Sequence, residues 1–122
     1  MKVSLLRILL ADDHAVVRHG LKLVLEGEPH FIVVAEADDG AAAVAAALAN
    51  RIDLAVLDVA MPRLTGIQAA RQIAEHRPAV RTLILSMHDN EEFFFEAIRS
   101  GAAGYVLKTA AEQDLPQPAG RR

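Results

Sequence analysis

Leu6-Arg7-Ile8-Leu9-Leu10-Ala11-Asp12-Asp13 is a short apolar run that closes on two carboxylates. Four more such runs follow, at Phe31–Ala37, Leu54–Leu57, Thr82–Leu85 and Tyr105–Leu107. They are rich in Val, Ile and Leu and do not alternate cleanly with polar residues. Strands covered on both faces read this way, as in a parallel sheet between layers of helix.

The stretches between the runs have helical signals. Val16, Leu21 and Leu25 mark an apolar face, and Gly27 with Pro29 gives a stop. Gly40–Ala49 is almost entirely Ala, Leu and Val, helix-prone and slim enough to lie close to a sheet. Thr65–Arg77 is amphipathic and halts before Pro78. Asn90–Ser100 opens on a cap residue, carries Glu91 and Glu92 in its first turn and stops at Gly101. Strand alternating with helix predicts right-handed crossovers and an open, doubly wound α/β sheet. After the fifth run, Ala110–Leu115 starts a helix that Pro116 and Pro118 prevent from continuing. One domain over residues 1–115 and a disordered tail over 116–122 are expected.

Composition narrows the function. The chain has 122 residues, 52% hydrophobic and 24% charged, with a formal net charge of −3. A mean hydropathy of +0.22 and a pI near 5.9 describe neither a disordered chain nor a membrane bundle. A mildly acidic chain is poorly suited to wrapping nucleic acid or an anionic membrane. Without cysteine there is no disulfide frame, zinc-thiolate site or thiol nucleophile. Arg7 and the Asp12-Asp13 pair interrupt the apolar N-terminus, so no secretion signal and no membrane span are expected, and the cytoplasm is the expected location.

In open α/β sheets, ligands bind beyond the carboxyl ends of the strands. The residues there are Asp12 and Asp13 after the first run, Asp58 after the third, Ser86 after the fourth and Lys108 after the fifth. If these strands are neighbours, one crevice collects three carboxylates, a hydroxyl and an ammonium. Clustered carboxylates repel unless a cation or proton compensates, and Mg²⁺ commonly uses a few carboxylates with water and phosphate. Lys108 would bind phosphate as a point charge, and Ser86 would hydrogen-bond it. Asp58 would be the nucleophile, taking a phosphoryl group as an acyl phosphate. Each residue also has a plain reading. Asp13 equally suits an N-cap, Asp58 a polar turn and Lys108 a solvated surface. The joint pattern favours the phosphate–metal site. The five histidines show no metal-site spacing, and none is assigned to metal. His14 or His88 could border the acidic pocket, but surface or capping roles are the favoured reading.

The segments Leu-Leu-Ala-Asp-Asp-His (9–14), Leu-Asp-Val-Ala-Met-Pro (57–62) with Gly66, Leu-Ser-Met-His-Asp (85–89) and Ala-Gly-Tyr-Val-Leu-Lys (103–108) resemble the receiver domain of bacterial two-component response regulators. The wording is most similar to the NarL/FixJ subfamily, which carries a LuxR-type helix-turn-helix output domain. The resemblance implies a flavodoxin-like (βα)5 fold with strand order 2-1-3-4-5 and, here, a shortened fifth helix. It implies Asp58 as phosphoacceptor from a sensor histidine kinase. It implies Mg²⁺ held by Asp12, Asp13, Asp58 and the backbone carbonyl of Ala60. Ser86 and Lys108 would contact phosphoryl oxygens, and Tyr105 would switch inward with Ser86.

Three departures from the family pattern carry expectations. Thr109 stands where proline often follows the lysine. Met87 replaces a frequent alanine and would restrict access to the site. The short fifth helix would leave a sheet face open, which predicts self-association or lowered stability. The helix-turn-helix of full-length relatives is absent after residue 115, so no direct DNA contact is expected of this chain. An aspartate-nucleophile phosphohydrolase of the haloacid dehalogenase type would need a carboxylate two residues after the nucleophile. Ala60 stands there, which argues against an enzyme. A degenerate interaction module that is never phosphorylated is the remaining alternative.

Overall fold

The computed structural model describes residues 5–86 and 104–107, with backbone alone for Ser86 and for 104–107. The strands are β1 (Leu6–Ala11), β2 (Phe31–Ala37), β3 (Leu54–Asp58), β4 (Arg81–Ser86) and β5 (Gly104–Leu107). The helices are α1 (Ala15–Glu26), α2 (Gly40–Ala49) and α3 (Gly66–His76). All strand pairs are parallel, in the order β2-β1-β3-β4-β5. The expected flavodoxin-like order is thus the observed one. The helix expected over Asn90–Ser100, the short fifth helix and its open sheet face, Met87, Lys108, Thr109 and the tail lie outside the described residues.

Alternation along β1 builds two cores. Leu9 and Ala11 join Ala55, Leu57 and Ile84 on the face covered by α2 and α3. Ile8 and Leu10 join Val56 and Leu85 on the face covered by Leu21 and Leu25 of α1. The first core is lined by small residues, Ala43 and Ala47 of α2 and Ala69 and Ala70 of α3, all fully buried. That is why an alanine-rich helix suits this face: no long side chain holds it off the sheet. The α1 face differs from the sequence reading at one position. Val16 is 85% exposed, while Leu21 and Leu25 are buried. Val17, Leu21 and Leu25, spaced four apart, form the stripe that meets the sheet, and Val16 is turned about 100° away from it.

Two local devices set the elements. Thr65 caps α3 in a reciprocal box: its Oγ1 accepts from Gln68 N at 3.1 Å, and Gln68 Oε1 accepts from Thr65 N at 3.0 Å. The β1–β2 pairing has a register shift, with Ile8 opposite Val33 and Leu9 opposite Ala35. Val34 is the extra residue, a β-bulge on the edge strand.

Candidate functional site

The register aligns the strand ends. Ala11 pairs with Leu57, so the next residue on each strand is a carboxylate, Asp12 and Asp58. Asp58 pairs with Leu85, and Ser86 pairs with Leu107. The backbone of Ser86 therefore lies at the same edge of the sheet, and Lys108 is the residue that follows β5. Tyr105 stands opposite Ile84 in the ladder.

Among the described residues, Asp12, Asp13, His14 and Asp58 each offer a ligand atom, and these atoms all lie within 4.8 Å of one another. Asp12 is fully buried and Asp58 is 3% exposed. Asp13 is exposed and lies outside α1, whose N-cap position is His14. The N-cap reading of Asp13 is therefore replaced by a place in the acidic cluster. His14 N donates to Asp12 Oδ1 at 2.9 Å, which fixes the turn from β1 into α1. Its Nδ1 lies 3.0 Å from Asp13 Oδ1 and 3.3 Å from Asp12 Oδ1. No helical or metal-site spacing points to His14; only the folded turn brings its ring to the carboxylates.

Neighbouring elements hold this cluster in place. Arg18 reaches back from α1, donating from one terminal nitrogen to the Asp12 carbonyl at 2.6 Å and from Nε to Glu36 Oε1 at 3.0 Å. Lys22 Nζ lies 3.4 Å from Glu36 Oε2. Asp12 N donates to the Ala37 carbonyl at 3.0 Å. On β3, Val59 N donates to the Leu85 carbonyl at 2.9 Å, which carries the pairing one residue past Asp58. Gly66 N donates to the Val59 carbonyl at 2.9 Å.

The loop from Val59 to Thr65 carries Ala60, which is exposed. It is tied to the start of α2. Arg63 has a left-handed backbone, with φ of 71°, and its Nε donates to Asp39 Oδ2 at 2.9 Å. The other oxygen of Asp39 accepts from Ala42 N at 2.7 Å as the N-cap of α2. The Ala42 amide first, and the Arg63 side chain second, hold the Asp39 carboxyl below its usual pKa. Asp39, in turn, raises that of Arg63. Gly40 packs against the backbone and Cβ of Leu64, where no side chain fits. Neither Arg63 nor Asp39 was picked out by strand-end reading. Asp39 just before an alanine helix is an N-cap signal that could have found it.

A parallel sheet with an acidic cluster at the carboxyl ends of its central strands defines the class: a flavodoxin-like α/β module. The chain belongs to the response regulator receiver domain family, whose pattern matches residues 8–119, and it is a receiver of two-component signalling. It is 40% identical over 111 residues to the oxygen regulatory protein NreC of Staphylococcus haemolyticus, a match covering 90% of this chain and 51% of that one. It is 39% identical over 115 residues to the transcriptional regulatory protein YxjL of Bacillus subtilis, covering 94% and 53%. The signal receiver domain of NarL from Mycobacterium tuberculosis superposes with a TM-score of 0.89 at 34% identity, covering 93% of this chain and 92% of that one. These relatives place it in the NarL and LuxR-type subfamily. The chain spans about half the length of the curated relatives it matches. Among the described residues no helix is long and apolar enough to cross a membrane.

Proposed function

We propose that this receiver is a phosphoacceptor, with Asp58 taking a phosphoryl group from a phosphohistidine of a sensor kinase. An oxygen of Asp58 bonds to phosphorus as the P–N bond breaks. The bonding pair goes to the imidazole nitrogen, which takes up a proton, and an acyl phosphate remains on Asp58. The supporting observation is the meeting of a nearly buried Asp58 with Asp12 and Asp13 within 4.8 Å at the sheet edge.

Three carboxylates so close are a donor set suited to a hard divalent ion. Asp12, Asp13, Asp58 and the Ala60 carbonyl are the groups that would hold Mg²⁺. When bound, it supplies positive charge against the phosphoryl oxygens. Lys108 adds a second positive charge, and Ser86 donates a hydrogen bond. Arg18 holds the Asp12 backbone, and the Arg63–Asp39 pair holds the loop of Ala60. The loaded site shifts a two-state equilibrium in which Ser86 and Tyr105 move together. The switch controls transcriptional output in the cytoplasm. Self-association through a sheet face beside a short fifth helix completes the proposal, and sedimentation at rising concentration tests it: a stable monomer removes it.

Incubation with Mg²⁺ and a small acyl-phosphate donor, followed by intact mass measurement, tests the main reading. Wild type gains one phosphoryl group and Asp58→Asn gains none. A folded wild type without the adduct overturns the reading and leaves an interaction module.

A further inference from the structure

We infer that His14 is a side-chain ligand of this cluster and biases it toward borderline transition ions such as Ni²⁺ and Co²⁺ relative to Mg²⁺. The inference rests on the metal-site reading above and concerns a residue that reading does not use. An octahedral ion with bonds of about 2.0–2.1 Å sets adjacent ligand atoms about 3 Å apart and opposite ones about 4.2 Å apart. His14 Nδ1 lies 3.0 Å from Asp13 Oδ1 and 3.3 Å from Asp12 Oδ1. The four ligand atoms lie within 4.8 Å of one another, a little wider than one octahedral sphere, so an ion would draw them together by about half an ångström. The ring is brought there by a fixed turn, since His14 N is bonded to Asp12 Oδ1 at 2.9 Å. The side chain is 65% exposed, so its outer side stays open to water.

The chemistry of the fourth donor decides the preference. Carboxylate and water suit Mg²⁺, whereas imidazole suits nickel, zinc, copper and iron. A site of carboxylates alone discriminates less in favour of the softer ions. Adding His14 strengthens binding of those ions and contributes little to Mg²⁺, which keeps its water shell.

The same contact lengths suit an N–H···O bond, so the experiment must separate a ligand from a donor that steadies two carboxylates. Ni²⁺ and Mg²⁺ affinities are measured by titration calorimetry on the full chain, for wild type, His14→Ala and a distant control, His76→Ala. Losing even a group hydrogen-bonded to a metal ligand costs about 10–100-fold in affinity. The ratio of Ni²⁺ to Mg²⁺ affinity is therefore expected to fall at least about tenfold in His14→Ala and to hold in His76→Ala. The visible absorption of bound Co²⁺ shifts in His14→Ala. Should the helix start weaken, His14→Asn places a capping side chain there and serves in its place. A ratio within about twofold of wild type, or an equal loss of both ions, overturns the inference while leaving the metal site standing. A wild type that binds neither ion overturns the metal-site reading and this inference with it.

Discussion

Gly66 lies so close to Asp58 that a methyl group on its Cα would overlap the Asp58 carbonyl. The first residue of α3 is thus pressed against the backbone of the proposed phosphoacceptor. Helix propensity alone favours Ala over Gly by about 1 kcal/mol in a helix interior. Overpacking against unyielding backbone costs about 1–3 kcal/mol. Sterics therefore outweigh propensity. Gly66→Ala is expected to lower stability in urea denaturation and to reduce phosphoryl incorporation at Asp58. A stabilised variant with full incorporation would contradict the close approach.

Asp39 has a depressed pKa in the folded state, first through the Ala42 amide and then through Arg63. A carboxylate lowered from its usual value of 3.8 adds stability that is present above that pH and is lost as pH falls through the lower folded value. Asp39→Asn keeps a capping side chain but removes the charge. Wild type is expected to melt above Asp39→Asn at neutral pH, and the gap to close below 3.8. A gap that is constant with pH would mean the charge contributes nothing.

Thr65→Ala removes one half of the box that starts α3. Loss of such a cap costs about 1 kcal/mol. Chemical denaturation should show that loss, with Thr65→Ser restoring most of it. An unchanged midpoint in Thr65→Ala would mean water replaces the cap.

Val16 and Leu21 lie on the same helix but in different surroundings, 85% and 1% exposed. Leu21→Ala is expected to cost about 2–5 kcal/mol, as buried leucines do. Val16→Ser should change stability by less than about 0.5 kcal/mol. Equal losses in thermal melts would place Val16 in the core, against its observed exposure.

The contrast between those two residues shows how far a one-dimensional pattern reaches. The bounds of β1, β2 and α2 were legible because both faces of the sheet are covered, so apolar runs stand out against polar turns. Strand order followed from the family motifs, since periodicity says which segments are strands and not which are neighbours. Asp12, Asp13 and Asp58 were legible because parallel strands end together. Arg18, Arg63 and Asp39 were not singled out, and His14 was given no ligand role, because these roles depend on turns and on contacts between elements far apart in the chain. Val16 has the apolar character of a core residue, but the buried stripe of α1 runs through Val17, Leu21 and Leu25 and leaves Val16 on the outer side.

The extra residue in β2 decides where an acid points. With regular alternation from Phe31, residue 36 would face the alanine-lined side, where a carboxylate would be stranded without a cation. Because Val34 and Ala35 both pack toward that side, the parity reverses, and Glu36 emerges opposite Leu10, within reach of Arg18 and Lys22. The bulge at the rim thus absorbs the extra residue and keeps Glu36 as the anchor for the arginine that holds the Asp12 carbonyl. A strand that kept Val34 but lost the bulge would turn Glu36 away from Arg18 and disarm that brace, with Asp12, Asp13 and Asp58 left unchanged.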